Sequence, residues 1–205
     1  MRYAVVRGSW CAAGTRLGTI RTMAATSTMV PLGTPAPDFV LPAVDGRNVD
    51  LRDFADAPAM LVAFLCNHCP YVRHVEKSLG STLAEFDDAG LAVVGICCND
   101  SESYPDDSPD RLAEQAERAG WSFPYLVDET QEVGRAYGAA CTPDFFLYDA
   151  ERRLAYRGAY DGSTPGNNVP LTGDLLRDAV IRVLGGQAVP EPHKPSMGCS
   201  IKWRT

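Results

Sequence analysis

Long apolar runs are missing from this 205-residue sequence: none approaches the roughly 20 residues that a membrane-spanning helix needs, and no membrane partner is expected. An excess of positive charge is missing too. Nineteen Lys and Arg stand against 26 Asp and Glu, for a net charge of -7, which argues against nucleic acid or an anionic membrane as the main partner. Histidine is scarce, and a second, distant Cys-x-x-Cys is absent, so the ligand spacing of a structural zinc site is not there. Arg2, Arg7, Arg16 and Arg21 interrupt the first 28 residues, so a secretory leader is not expected. No segment repeats. Residues 1–30 read as a disordered leader or an over-extended start, 31–186 as one domain, and 187–205 as a tail rich in proline.

Cysteine is the residue the chain does have. The seven are Cys11, Cys66, Cys69, Cys97, Cys98, Cys141 and Cys199, an odd number and too few for a disulfide scaffold of this length. Several unpaired thiols suit a reducing compartment, so a cytoplasmic location is expected. Cys97 and Cys98 close an apolar strand and read as small buried hydrophobes. Cys11 is given no role.

Cys66-Asn67-His68-Cys69-Pro70 directly follows the apolar run Met60–Leu65. A buried strand that ends in Cys-x-x-Cys and leads into a helix holds two thiols one helical turn apart. It also aims the free N–H groups and positive dipole end of the helix at the sulfurs, which favours thiolate. That junction points to thiol redox chemistry.

The rest of the pattern alternates strands and helices. Val72, Val75, Leu79, Leu83 and Phe86 recur at helical spacing from Pro70 to about Asp88, and Gly90 stops them. Leu91–Cys97 is a second buried strand, and Ser101–Pro109 an acidic loop before a helix to Ala119. A short segment at 124–128 precedes a short helix over 129–137. Phe145–Asp149 and Arg153–Arg157 form a hairpin, and a last helix covers 173–184. This order predicts an α/β fold with a central mixed sheet and helices on both faces.

These residues resemble the thioredoxin-like superfamily, in its peroxiredoxin-like (AhpC/TSA-type) branch. Ala36-Pro37-Asp38-Phe39-x-Leu41 is similar to the first strand of peroxiredoxins, which implies a peroxiredoxin-like N-terminal strand extension. Thr142-Pro143 ahead of the hairpin is similar to the cis-proline turn of thioredoxins, and the ending around Cys199-Ser200-Ile201-Lys202-Trp203 resembles that of a bacterial peroxiredoxin-like subgroup. The resemblance implies thiol–disulfide exchange, with Cys66 as the more exposed, lower-pKa nucleophile and Cys69 as the thiol that resolves the mixed disulfide. His68 resembles the histidine of disulfide isomerase, which polarises the first thiolate. A cis Pro143 would leave the Thr142 backbone free to pair with a substrate strand.

The peroxidatic pattern Pro-x-x-x-Thr-x-x-Cys is altered here: Val62 stands for the proline, Cys66 for the threonine, and Pro143 for the supporting arginine. Peroxide reduction through Cys69 is therefore the alternative. A metal-binding or redox-sensing module using Cys66, Cys69, His68 and Cys141 is a third reading. Cys141 and Cys199 are accessory or resolving candidates, with Cys199 also read as packing against Ile201 and Trp203. His74 is expected to be solvated or capping. No cofactor and no resident metal is expected. The implied partners are a thioredoxin- or glutathione-type thiol donor and a disulfide-containing protein or hydroperoxide substrate.

Overall fold

The structure, a computed structural model, describes residues 24–204; Cys11 and most of the expected leader lie outside them. In chain order the elements are β1 (Ala24–Thr26), β2 (Val40–Pro42), β3 (Asn48–Asp50), β4 (Ala59–Phe64), α1 (Pro70–Ala84), β5 (Leu91–Cys97), α2 (Pro109–Ala119) and β6 (Tyr125–Val127). They continue with α3 (Glu132–Ala136), β7 (Cys141–Thr142), β8 (Asp144–Tyr148), β9 (Leu154–Gly158), α4 (Asp174–Leu184) and β10 (Met197–Ser200).

The strand β4 is apolar on both faces, and it occupies the centre of a five-stranded sheet ordered β6-β5-β4-β8-β9. It runs parallel to β5 and antiparallel to β8. Both faces are covered, as a strand without alternation requires. Ala59, Leu61 and Ala63 join the core built on α1, α2 and α4, through residues such as Val72, Leu112 and Val180. Met60, Val62 and Phe64 face the β2–β3 hairpin and Tyr137, just after α3. Helices thus lie on both faces of a mixed sheet. Among the described residues no helix is long and apolar enough to cross a membrane.

Helix α1 starts at Pro70, where a missing N–H costs little, with Cys69 as its N-cap. The third helix is shorter than its sequence pattern. Gln131 adopts a left-handed conformation (φ 64°) and cannot belong to it. Its side chain instead donates to the carbonyls of Cys98 and Lys202, tying the tail to the domain.

Both expected domain edges move. Residues 24–26, assigned by sequence to a leader, form β1, which pairs antiparallel with β10. The tail does not trail away from the domain. Its strand β10 returns and pairs with β7 on its other side, making a second sheet ordered β1-β10-β7. Three-residue strands have too little periodicity to be recognised locally; here cross-strand pairing defines them.

Candidate active site

The end of β4 and the start of α1 bring Cys66 and Cys69 against the turn between β7 and β8. The Thr142–Pro143 peptide in that turn is cis. Cys66 Sγ lies 3.1 Å from Thr142 Oγ1, and Cys69 Sγ lies 3.1 Å from the Thr142 carbonyl oxygen. Cys66, Cys69, Cys141 and Cys199 are all buried free thiols. The strand β10 sets Cys199 directly opposite Thr142. The two backbones approach so closely that a Cβ on Gly198 would sit 1.9 Å from the Thr142 oxygen.

Among the described residues, the neighbours that bear most on the Cys69 sulfur are the Cys199 and Cys66 thiols. The Cys199 S–H is the largest influence and the Cys66 S–H the next. Together these donors hold the Cys69 thiol far below its ordinary range despite its burial. The Thr142 carbonyl can accept only from the protonated thiol, so it opposes that shift, as burial does. Burial pushes Cys66 well up, and the Cys69 sulfur and the Asp107 charge push it in the same direction. Cys199 is raised because it donates to Cys69. Cys66 is buried rather than exposed, and the directions of the two shifts run against the expected order of the thiols.

A carboxylate that the sequence did not single out holds the loop between the two cysteines. Asp107 is buried and receives four donors. Its Oδ1 accepts from the backbone N–H groups of Asn67 and His68, at 2.8 and 3.2 Å. Its Oδ2 accepts from Asn99 Nδ2 at 2.8 Å and lies 2.6 Å from His68 Nδ1. The His68 ring stacks on Tyr104, with centroids 5.2 Å apart. In the acidic loop nothing local separates Asp107 from its exposed neighbour Asp106; 3-10 geometry over Pro105–Asp107 turns only one of them inward.

The metal-ligand set proposed from sequence is not the one that assembles. Among the described residues the compact group is Cys66, His68 and Asp107, whose donor atoms lie within 4.8 Å of one another. Both Asp107 oxygens are already filled by N–H donors, which makes this carboxylate an orienting group rather than a ligand. Cys141 faces the Pro143 carbonyl at 3.7 Å, and burial raises its pKa. Nor is the Thr142 backbone free for a substrate strand, because β10 already pairs with it. His74 is half-buried, with Nε2 3.0 Å from Ser163 Oγ. It borders a cavity of about 200 Å³ that reaches Pro143 and Met197 but is lined by none of the cysteines.

A mixed sheet ending in a strand–Cys-x-x-Cys–helix junction beside a cis-proline turn defines a thioredoxin-like fold, and the chain is an oxidoreductase of that class. The AhpC/TSA family model matches residues 32–157, more than half of the sequence, and the chain belongs to that family. Among its relatives, a Mycobacterium tuberculosis protein named as a peroxiredoxin is 33% identical over 57% of this chain and 69% of its own length. Peroxiredoxin Bcp of Escherichia coli is 28% identical over 63% and 80%. Among solved structures, an uncharacterized conserved protein of Geobacillus kaustophilus is 48% identical. It covers 89% of this chain and 97% of its own, with a TM-score of 0.86.

Proposed function

We propose that the protein catalyses thiol–disulfide exchange through Cys66 and Cys69, with Cys69 as the attacking thiolate. The observation that carries this reading is the placement of both sulfurs against the cis Thr142–Pro143 turn, with the Cys69 thiol drawn down and Cys66 pushed up. The Cys69 thiolate attacks one sulfur of a substrate disulfide, forming a mixed disulfide and expelling the other sulfur as a thiolate. Cys66 then loses its proton and attacks the Cys69 sulfur, releasing the second substrate thiol and leaving a Cys66–Cys69 disulfide. A thioredoxin- or glutathione-type dithiol or thiol restores the reduced pair. Cys199, hydrogen-bonded to Cys69, is an alternative resolving thiol. The thiols alone supply the redox chemistry, with no cofactor. Several free cysteines support a cytoplasmic location.

The second reading is hydroperoxide reduction through Cys69. It is favoured by the low Cys69 pKa and by relatives named as peroxiredoxins. In that reaction the thiolate takes an oxygen to become sulfenate, the peroxide leaves as water or alcohol, and Cys66 or Cys199 condenses with the sulfenate. The groups that lower Cys69 are thiols and backbone N–H groups, with no guanidinium among them. The developing charge on the leaving oxygen therefore lacks its strongest electrostatic support, which ranks this reading second.

Insulin reduction and peroxide consumption by the reduced protein separate the two. Cys69→Ser is expected to abolish disulfide reduction, while Cys66→Ser traps a mixed disulfide on Cys69 that mass mapping detects. Full turnover by Cys69→Ser would exclude Cys69 as the nucleophile. A peroxide rate far above that of the unfolded thiol, with sulfenate on Cys69, would make peroxide the substrate.

A further inference from the structure

The exchange reaction proposed above leaves one step unassisted. In that reaction Cys66 is the resolving thiol, yet it is buried against the Thr142 hydroxyl, and it must lose a proton before it can attack. An acceptor for that proton has to lie within the same closed space.

We propose that His68 is the base that takes the Cys66 proton, and that Asp107 is the positioning residue that prepares it. The Asp107 carboxyl group lies 2.6 Å from Nδ1; by accepting that nitrogen's hydrogen it fixes the tautomer in which Nε2 keeps its lone pair. Both Asp107 oxygens are occupied by donors, so Nε2 is the open acceptor of the pair. Nε2 is buried and has no hydrogen-bond partner. A buried nitrogen left unpaired is costly, and a proton-transfer role accounts for it. The Cys66 sulfur, an imidazole nitrogen and an Asp107 oxygen lie within 4.8 Å of one another. The imidazole therefore stands beside the Cys66 sulfur, and in the proposed step Nε2 closes on the thiol when substrate is bound. The stacked Tyr104 ring and the two backbone N–H groups on Asp107 keep the imidazole from swinging away.

In the step itself, the Cys66 S–H bond breaks and its proton moves to Nε2. The Cys66 sulfur bonds to the Cys69 sulfur, and the bond from Cys69 to the substrate sulfur breaks. The proton then passes from the imidazolium to the departing thiolate. No oxidant or reductant beyond the mixed disulfide is consumed.

This inference rests on the dithiol reading, and 5,5′-dithiobis(2-nitrobenzoate) tests the two separately because each step releases one coloured thiolate. The first release reports attack by Cys69, the second closure by Cys66. His68→Ala and Asp107→Asn are expected to slow the second release by about 10²-fold at neutral pH, the typical contribution of a positioned base. The first release should keep its rate. Added imidazole should restore the second release in His68→Ala but not in Asp107→Asn, where the amide favours the wrong tautomer. Loss of both releases together in folded His68→Ala, with no recovery by imidazole, would overturn the proposal and leave His68 a structural residue. An unchanged second release would overturn it equally. Wild-type protein that gives only the first release would instead defeat the dithiol reading itself. His68 keeps the variant set informative if Asp107→Asn does not fold, because its side chain is at the edge of the core rather than inside it.

Discussion

Asp144 follows the cis proline and is buried, with Oδ1 unpartnered and Oδ2 3.4 Å from the Ala140 N–H. Burial raises its pKa from 3.8 to about 7, and its polar neighbours, Ser27 and the Ala140 N–H foremost, offset only part of that. Below about pH 4 folded and unfolded chains both hold the proton, and the residue is neutral to stability. Between pH 4 and 7 the unfolded chain loses the proton first, so stability falls as pH rises, levelling out above the folded value. A shift of this size corresponds to at most about 4 kcal/mol. Asp144→Asn is expected to flatten the slope of urea midpoint against pH over that window and to exceed wild type at pH 8. Parallel curves would show that the carboxyl is ionised in the native protein. At this scale the sequence exposed the cysteines and the Thr-Pro turn, because motif spacing is local. It concealed Asp107 and Asp144, whose importance comes from burial next to residues distant in sequence.

Among the elements, β4 and α1 were legible because one is uniformly apolar and the other has a clean helical stripe. Which of the two thiols is drawn down was not, since that depends on Cys199, far away in the sequence. The tail strand was the least legible of all. Met197-Gly198-Cys199-Ser200 has no alternation to announce a strand, and only its two neighbours make it one. Gly198 is where that pairing is most demanding, because a side chain there would meet the Thr142 backbone and neither strand could yield locally. Gly198→Ala is expected to push β10 off β7 while the five-stranded sheet persists. Native-state labelling by iodoacetamide should then reach Cys69 faster than in wild type. Labelling at the wild-type rate would show that the contact gives way without uncovering the sulfur.

Across the whole molecule, the tail is joined to the site at several points. The Lys202 N–H donates to Asn99 Oδ1, Asn99 donates to Asp107, and Asp107 holds His68. The Lys202 ammonium also lies 5.7 Å from the centre of the Tyr104 ring on which His68 stacks. Cys199 supplies the largest influence on the Cys69 thiolate. Removing that donor with Cys199→Ala is expected to raise the pH at which Cys69 ionises, followed by thiolate absorbance near 240 nm. Cys66, Cys97, Cys98 and Cys141 are all pushed upward by burial and stay silent in that range. An unmoved titration would show that Cys199 does not lower the Cys69 pKa.

The placement of β10 against Thr142 turns substrate choice into a competition. A strand tethered to its own binding edge acts like a ligand present at millimolar local concentration. An extended polypeptide arriving from solution at far lower concentration must wait for that strand to lift before it can pair. A small disulfide or peroxide needs only a gap wide enough to reach one sulfur. On the proposed chemistry, a tail paired in this way is expected to favour small oxidants over extended polypeptides.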